Sequence, residues 1–261
     1  MHTKRAISCC LAFLLATLVS FPAIAAAAAS TFTVTPESVS VGLFYGGTRV
    51  RVEGFLPVGD EAAIVCVGDE TSLNLKKIGK VWGLLWMTVG KVKFDRISEF
   101  YNLATSTDIK RLAAPPVLEK LGIGYQALMD NSLKEKKDPE NRRLFGEMIK
   151  LKEHEGIFNI GEKKVVIAPG DGAVSKVSAD LRIPPNTPMG DYTIKVFSFR
   201  NGQGSLVFSK AITVRQVGLV ALVGSLAMKY GMLYGIVSVF IALFAGLLTG
   251  FLFGLGSKGG H

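Results

Sequence analysis

The 261-residue chain is poor in the side chains that carry chemistry. It holds three cysteines and three histidines. Cys9 and Cys10 lie within the first 30 residues, so removal of that stretch leaves Cys66 alone. One cysteine cannot close an internal disulfide, and hydrophobic packing must hold the domain together. Ala62–Val67 is a short apolar run of strand type, and Cys66 reads there as a small buried core residue. A reactive thiol would need a neighbouring base or cation. Beyond His2 the histidines are His154 and His261. No His-x-x-x-His or Cys-x-x-Cys spacing is present, which excludes the common metal motifs. His154, in Lys152-Glu153-His154-Glu155, reads as a solvated residue at a helix end. There is no Gly-x-Ser-x-Gly elbow and no phosphate-binding Gly-x-x-x-x-Gly-Lys-Ser/Thr loop, and Gly170-Asp171-Gly172 reads as a turn. No repeat and no nucleic-acid module is recognisable. The expectation is a protein without catalysis, cofactor, metal or nucleic-acid partner.

Charge is absent altogether from one stretch. Gly231–Leu255 reads GMLYGIVSVFIALFAGLLTGFLFGL. As a helix it spans about 37 Å, enough to cross a hydrocarbon core of about 30 Å with some tilt. The preceding Val217–Met228 is also apolar, and Lys229 is the one charge between it and Leu255. A single helix over all of Val217–Leu255 would be about 58 Å long, too long for one crossing. The crossing is therefore placed after Tyr230, with residues 217–230 as a juxtamembrane helix and 256–261 as a tail. A two-helix hairpin is the alternative, with short arms and a poorly marked turn. Within the crossing, Ala242, Gly246, Gly250 and Gly254 recur every four residues. Such a stripe lets a second helix approach closely, where lipid competes equally for the larger apolar side chains. The expected partners are lipid and a further membrane protein or a second copy. Glycine is also simply common in membrane helices.

A second apolar run lies at the other end. Lys4 and Arg5 precede Leu11–Val19, followed by Pro22 and the small-residue tract Ala25–Ser30. This is the layout of a secretory signal peptide, expected over residues 1–30; an uncleaved anchor is disfavoured by the shortness of the run and by Pro22. The remainder would face the periplasm on a single-pass inner-membrane anchor. The positive-inside rule gives this orientation little support, because Lys258 flanks the inner end while Arg215 and Lys229 flank the outer one. The first 30 residues carry two basic and no acidic side chains, so the formal charge of +9 falls to +7 on cleavage. That excess suits either a soluble face or attraction to anionic headgroups or an acidic partner.

Between these ends the chain reads as mainly β over residues 31–216. Thr48–Gly54 alternates apolar and polar residues and is bounded by Gly46-Gly47, the signature of a half-buried strand. Val177, Ala179, Leu181 and Ile183 repeat the pattern, and in Ser205–Arg215 it places Leu206, Phe208, Ile212 and Val214 on one face. The proline-rich Pro184–Met189 leads into Gly190-Asp-Tyr192-Thr-Ile194-Lys-Val196. That is similar to the tyrosine corner of immunoglobulin-like sandwiches, with Ile194 where antibody domains carry a cysteine. A helical insertion is expected at about 98–156. It would contain one helix over Val117–Leu133, weakened by Gly122 and Gly124. A second would be capped by Asp138, open on Pro139 and stop at Gly156. Lys76–Arg96 interleaves lysines with Trp82 and Trp86. It reads as one long strand, or as two broken at Gly83 or Gly90. Its tryptophans are expected in the core with snorkelling edge lysines; an anion-binding or membrane-contacting surface is the alternative.

Several segments together resemble a family of transmembrane proteins first catalogued in alphaproteobacteria. They are Gly79-Lys-Val-Trp-Gly-Leu-Leu-Trp-Met87, Phe94–Ser106, the corner Leu181–Tyr192 and Phe199-Arg-Asn-Gly202. The resemblance implies an exported domain with a C-terminal anchor and no established activity. Members look like neighbours of sulfite-exporter-type permeases, which implies an accessory role and carries no catalytic residues over.

Overall fold

The computed structural model describes residues 31–133, 138–170 and 172–256. The expected signal peptide and the tail beyond Gly256 lie outside the described residues. Two sheets form a sandwich. In the first, strands β1 (Phe32–Thr35), β3 (Thr48–Pro57), β10 (Val174–Ile183) and β9 (Val166–Pro169) lie in the order β1-β3-β10-β9, all antiparallel. Alternation decides which face is buried. Val50, Val52 and Leu56 of β3 turn inward together with Val177, Leu181 and Ile183 of β10, while Arg49 and Arg51 stay outside. Each such burial stabilises by about 1.5–3 kcal/mol.

The second sheet has six strands. They are β2 (Ser38–Val41), β12 (Gln203–Gln216), β11 (Gly190–Arg200), β4 (Glu61–Val67), β7 (Tyr101–Thr105) and β8 (Phe158–Gly161), in that spatial order. β2 runs parallel to β12 and β8 parallel to β7. Asn102 joins the two sheets by donating from Nδ2 to the Arg182 carbonyl at 3.0 Å. Phe32 of the first sheet meets Phe208 of the second, ring centroids 5.5 Å apart. The tyrosine corner is present: Tyr192 Oη donates to the Pro188 carbonyl at 2.6 Å, and its ring packs edge-on against Phe100. Leu206 departs from expectation. A bulge between Val196 and Phe197 shifts the register, so Phe208 pairs with Val196 but Leu206 with Phe197. Leu206 is thereby turned outward while Ile212 and Val214 stay buried.

The helical insertion begins later than expected. Phe94–Ser98 continues a strand and Tyr101–Thr105 is the fully buried β7, so helix starts at Ile109. A strand covered on both faces has no alternation to mark it. The helices are α1 (Ile109–Leu112), α2 (Pro115–Leu121), α3 (Tyr125–Ser132) and α4 (Pro139–His154). The single helix expected over Val117–Leu133 is two. Gly122 adopts a left-handed conformation and the Ile123 N–H returns to the Leu118 carbonyl at 2.9 Å, closing α2. Asp138 caps α4 by accepting from the Glu140 N–H at 2.9 Å. Phe145, Met148 and Ile149 of α4 are buried in the common core.

Strands β5 (Glu70–Val81) and β6 (Leu85–Ser98) form a ribbon of their own. It grows out of the β4–β7 pair. Val67 faces Tyr101, the Gly68 N–H donates to the Phe100 carbonyl at 2.9 Å and the Glu99 N–H to the Asp69 carbonyl at 2.8 Å. Glu70 then faces Ser98, and pairing continues to Val81 opposite Leu85. The base of the ribbon is rooted in the core through Val92, Phe94 and Ile97, with the Phe94 and Phe145 rings 5.8 Å apart. β4 and β12 are both antiparallel to β11, so they run in the same direction; Val67 and Ala211 flank Thr193. The ribbon therefore leaves the sheet at the end where β12 runs on toward the C-terminal helices.

Candidate functional site

Among the described residues, two of the exposed apolar features are extended ones. The first is C-terminal. β12 passes into α5 (Gly218–Lys229), which ends at Tyr230, and α6 (Gly231–Gly256) follows. The break is local: Tyr230 leaves helical geometry at φ −130° and ψ 50°, while its N–H still reaches the Leu226 carbonyl at 2.9 Å. α5 is apolar but too short to cross a bilayer; Gly231–Phe253 is long and apolar enough. No residue of that span is buried by the rest of the chain. Its serine and threonine hydroxyls are satisfied within the helix, Ser238 Oγ donating to the Tyr234 carbonyl at 2.8 Å and Thr249 Oγ1 to the Ala245 carbonyl at 2.7 Å. An apolar helix with its polar groups bonded internally fits hydrocarbon as solvent.

Ala242, Gly246, Gly250 and Gly254 all fall on α6. A side chain built at Gly246 or Gly250 would meet nothing within 4 Å, so no contact among the described residues accounts for these glycines. The surroundings of Gly254 lie outside the description of side chains.

The second feature is the ribbon tip. The turn Trp82-Gly83-Leu84 needs left-handed backbone at Trp82 and Gly83. Glycine takes this at no steric cost, and a β-branched residue there would be strained. The tryptophans are not core residues, as the sequence led one to expect. Trp82 is 92% exposed and Trp86 67%, and Leu84, Leu85 and Met87 are exposed beside them. Among the described residues no second sheet covers this part of the ribbon, and pairing alone does not bury its side chains. Set back from the tip, Lys80 Nζ lies 5.3 Å from the Trp86 ring centroid. Lys76 faces Lys91 directly across the ladder, a like-charge pairing that is unfavourable unless an anion lies near. Lys93 is held by Asp95 at 2.8 Å.

Among the described residues no three His, Cys, Asp or Glu side chains come together as metal ligands. His154 borders an open cleft of about 580 Å³ with Glu153, Glu155, Asn102 and Arg182. Glu153 there accepts from the Tyr125 hydroxyl at 2.8 Å. Burial, and next the Glu153 carboxylate, push the Tyr125 hydroxyl well above its ordinary value. Cys66 is buried, and burial pushes its thiol up to about 12, which keeps it neutral and inert. Buried Asp60, in the turn before β4, accepts from the Arg200 guanidinium and from Ser198 Oγ at 2.5 Å, tying that turn to β11.

These features define a β-domain carried on a single C-terminal apolar helix. The chain belongs to the family described as "Putative transmembrane protein" (Alph_Pro_TM), whose match runs over residues 31–254 and so takes in both the sandwich and α6. No curated protein and no solved structure matches the chain.

Proposed function

We propose that this protein is a membrane-anchored accessory or structural subunit of an envelope complex, working beside a transporter or permease. In this reading α6 crosses the inner membrane once and holds the sandwich on the periplasmic side. The helix meets another membrane protein, or a second copy, along Ala242, Gly246, Gly250 and Gly254. The carrying observation is that the span is unburied by the described residues and yet places glycines at Gly246 and Gly250 that no described contact requires. The strand order supports an immunoglobulin-like sandwich, a scaffold used widely for docking: β1-β3-β10-β9 follows the A-B-E-D order and β12-β11-β4 the G-F-C order. Crosslinking in membranes followed by extraction in mild detergent tests the proposal. A discrete crosslinked partner or dimer is expected, and it should be lost in the Gly246→Leu/Gly250→Leu variant. Recovery of monomer alone, unchanged by that variant, would sink the reading.

The exposed Lys76 and Lys91 pair favours a second reading, a binding module for a small anion or envelope polymer on Lys76–Arg96. Its check is a thermal-shift screen of the purified chain with inorganic anions. Stabilisation by an anion that vanishes in Lys80→Glu and Lys91→Glu supports it, and the absence of any shift rejects it.

A further inference from the structure

The ribbon is a poor fit to either role as it stands, because its most exposed side chains are its most apolar. Trp82, Leu84, Leu85, Trp86 and Met87 cluster at one tip. Lys80 lies level with Trp86, and Lys76 and Lys91 stand behind the cluster, with no carboxylate partner for any of these three among the described residues. From the geometry we infer that this tip is a second membrane contact: it dips into the bilayer interface, and the lysines behind it engage anionic lipid headgroups.

Three observations carry the inference. The first is chemical order along the ribbon. Trp82, Leu84 and Leu85 are distal, Lys80 lies level with Trp86, and Lys76 and Lys91 are proximal, the order of acyl boundary and headgroup met by an element entering from water. Tryptophan is the side chain that most favours this boundary, since its ring is apolar and its N–H polar. The second is charge. A protein or peptide partner with an apolar pocket would need no facing pair of lysines, whereas a layer of phosphates relieves the Lys76–Lys91 repulsion. Each lysine near an anionic surface strengthens binding about fivefold. The third is placement. The ribbon leaves the sandwich at the end where β12 runs on to α5 and α6. Its strand of 12 residues reaches about 40 Å at 3.3 Å per residue, long enough to meet the surface that holds the anchor. Two contacts, one spanning and one interfacial, would fix the tilt of the domain over the bilayer.

Trp82 and Trp86 are the only tryptophans, so intrinsic emission of the full chain reports on the tip without labels. The protein is reconstituted at low density in bilayers of phosphatidylcholine with phosphatidylglycerol, and in phosphatidylcholine alone. Blue-shifted emission is expected in the anionic bilayer, quenched by brominated acyl chains and shielded from iodide. The Lys76→Gln/Lys80→Gln/Lys91→Gln variant should lose most of that lipid quenching and regain iodide access, while α6 keeps it in the membrane. Emission that stays solvent-like and equally open to iodide in both bilayers overturns the inference. So does a blue shift that grows with protein density, which would mark tip-to-tip contact between copies, or protection that requires an added membrane protein. Alkaline carbonate separates the two levels of the argument. Release of the chain rejects the anchor itself, whereas a retained chain with water-exposed tryptophans rejects the tip contact alone.

Discussion

The pair β3–β10 and the ribbon β5–β6 are both long antiparallel ladders, and their fates differ. In β3–β10 the alternate side chains Val52 and Leu181 are buried to within 1%. In the distal ribbon the side chains of both faces are open, Ile78 and Trp86 on one and Leu85 and Met87 on the other. Both ladders are closed by cross-strand pairing, though the ribbon carries two register shifts and β3–β10 none. What differs is whether a second layer lies over the ladder, and only the first pair has the six-stranded sheet facing it. Pairing thus makes a strand, while burial is decided by what the rest of the chain can bring across about 10 Å.

The sharpest test of the contrast is chemical. Cys66, with its thiol pushed up to about 12, should react with a maleimide at pH 8 about a thousandfold more slowly than a cysteine placed at the tip by Leu84→Cys. Comparable rates would mean that the sandwich opens as readily as the ribbon. Stability comes next. Leu181→Ala should cost about 2–5 kcal/mol in denaturant unfolding, whereas Leu84→Ala should stay within about 0.5 kcal/mol. Gly54→Ala is expected to lose about 1–3 kcal/mol, because a Cβ there would lie 2.3 Å from the Phe32 ring, itself packed on Phe208. Tyr192→Phe removes the bond to Pro188 and leaves a carbonyl without that donor, for a loss of about 1 kcal/mol and a lower Tm. The smallest effect belongs to the surface pair Arg51–Asp180 that bridges β3 and β10. The bond from Arg51 lowers the Asp180 carboxyl below its ordinary value of 3.8. Its contribution is present at neutral pH and fades as pH falls below that value and through the lower folded one. Arg51→Gln should therefore trim Tm slightly at pH 7, with the difference from the parent shrinking as pH falls through the acid range.

Much of the sandwich was legible in the chain because local rules and burial agree there. Tyr192 follows its proline corner, Asp138 and Pro139 announce α4, and the apolar run around Cys66 is a central strand. The misreadings arise where a tertiary fact overrides a local one. Leu206 keeps the period of its strand but loses its face to a bulge. Tyr101–Thr105 shows no alternation, because sheet and helices cover both its sides. Trp82 and Trp86 look like core residues by composition, and nothing local records that the ribbon outruns the sandwich. Gly122 was visible as a weak point in a helix, but its left-handed conformation was not. On α6 the spacing of Ala242, Gly246, Gly250 and Gly254 was readable directly, since helical geometry alone sets a stripe.

β12 reaches the membrane segment with β11 hydrogen-bonded along one edge and the parallel β2 along the other, up to Gln216 opposite Val41 and the Val217 N–H on the Val41 carbonyl at 3.0 Å. Traction on the anchor is thus directed along a strand clamped on two sides. Both sets of bonds are loaded in shear and must yield together, instead of unzipping one at a time. The domain thus resists being pulled from its anchor more than a strand held on one side would.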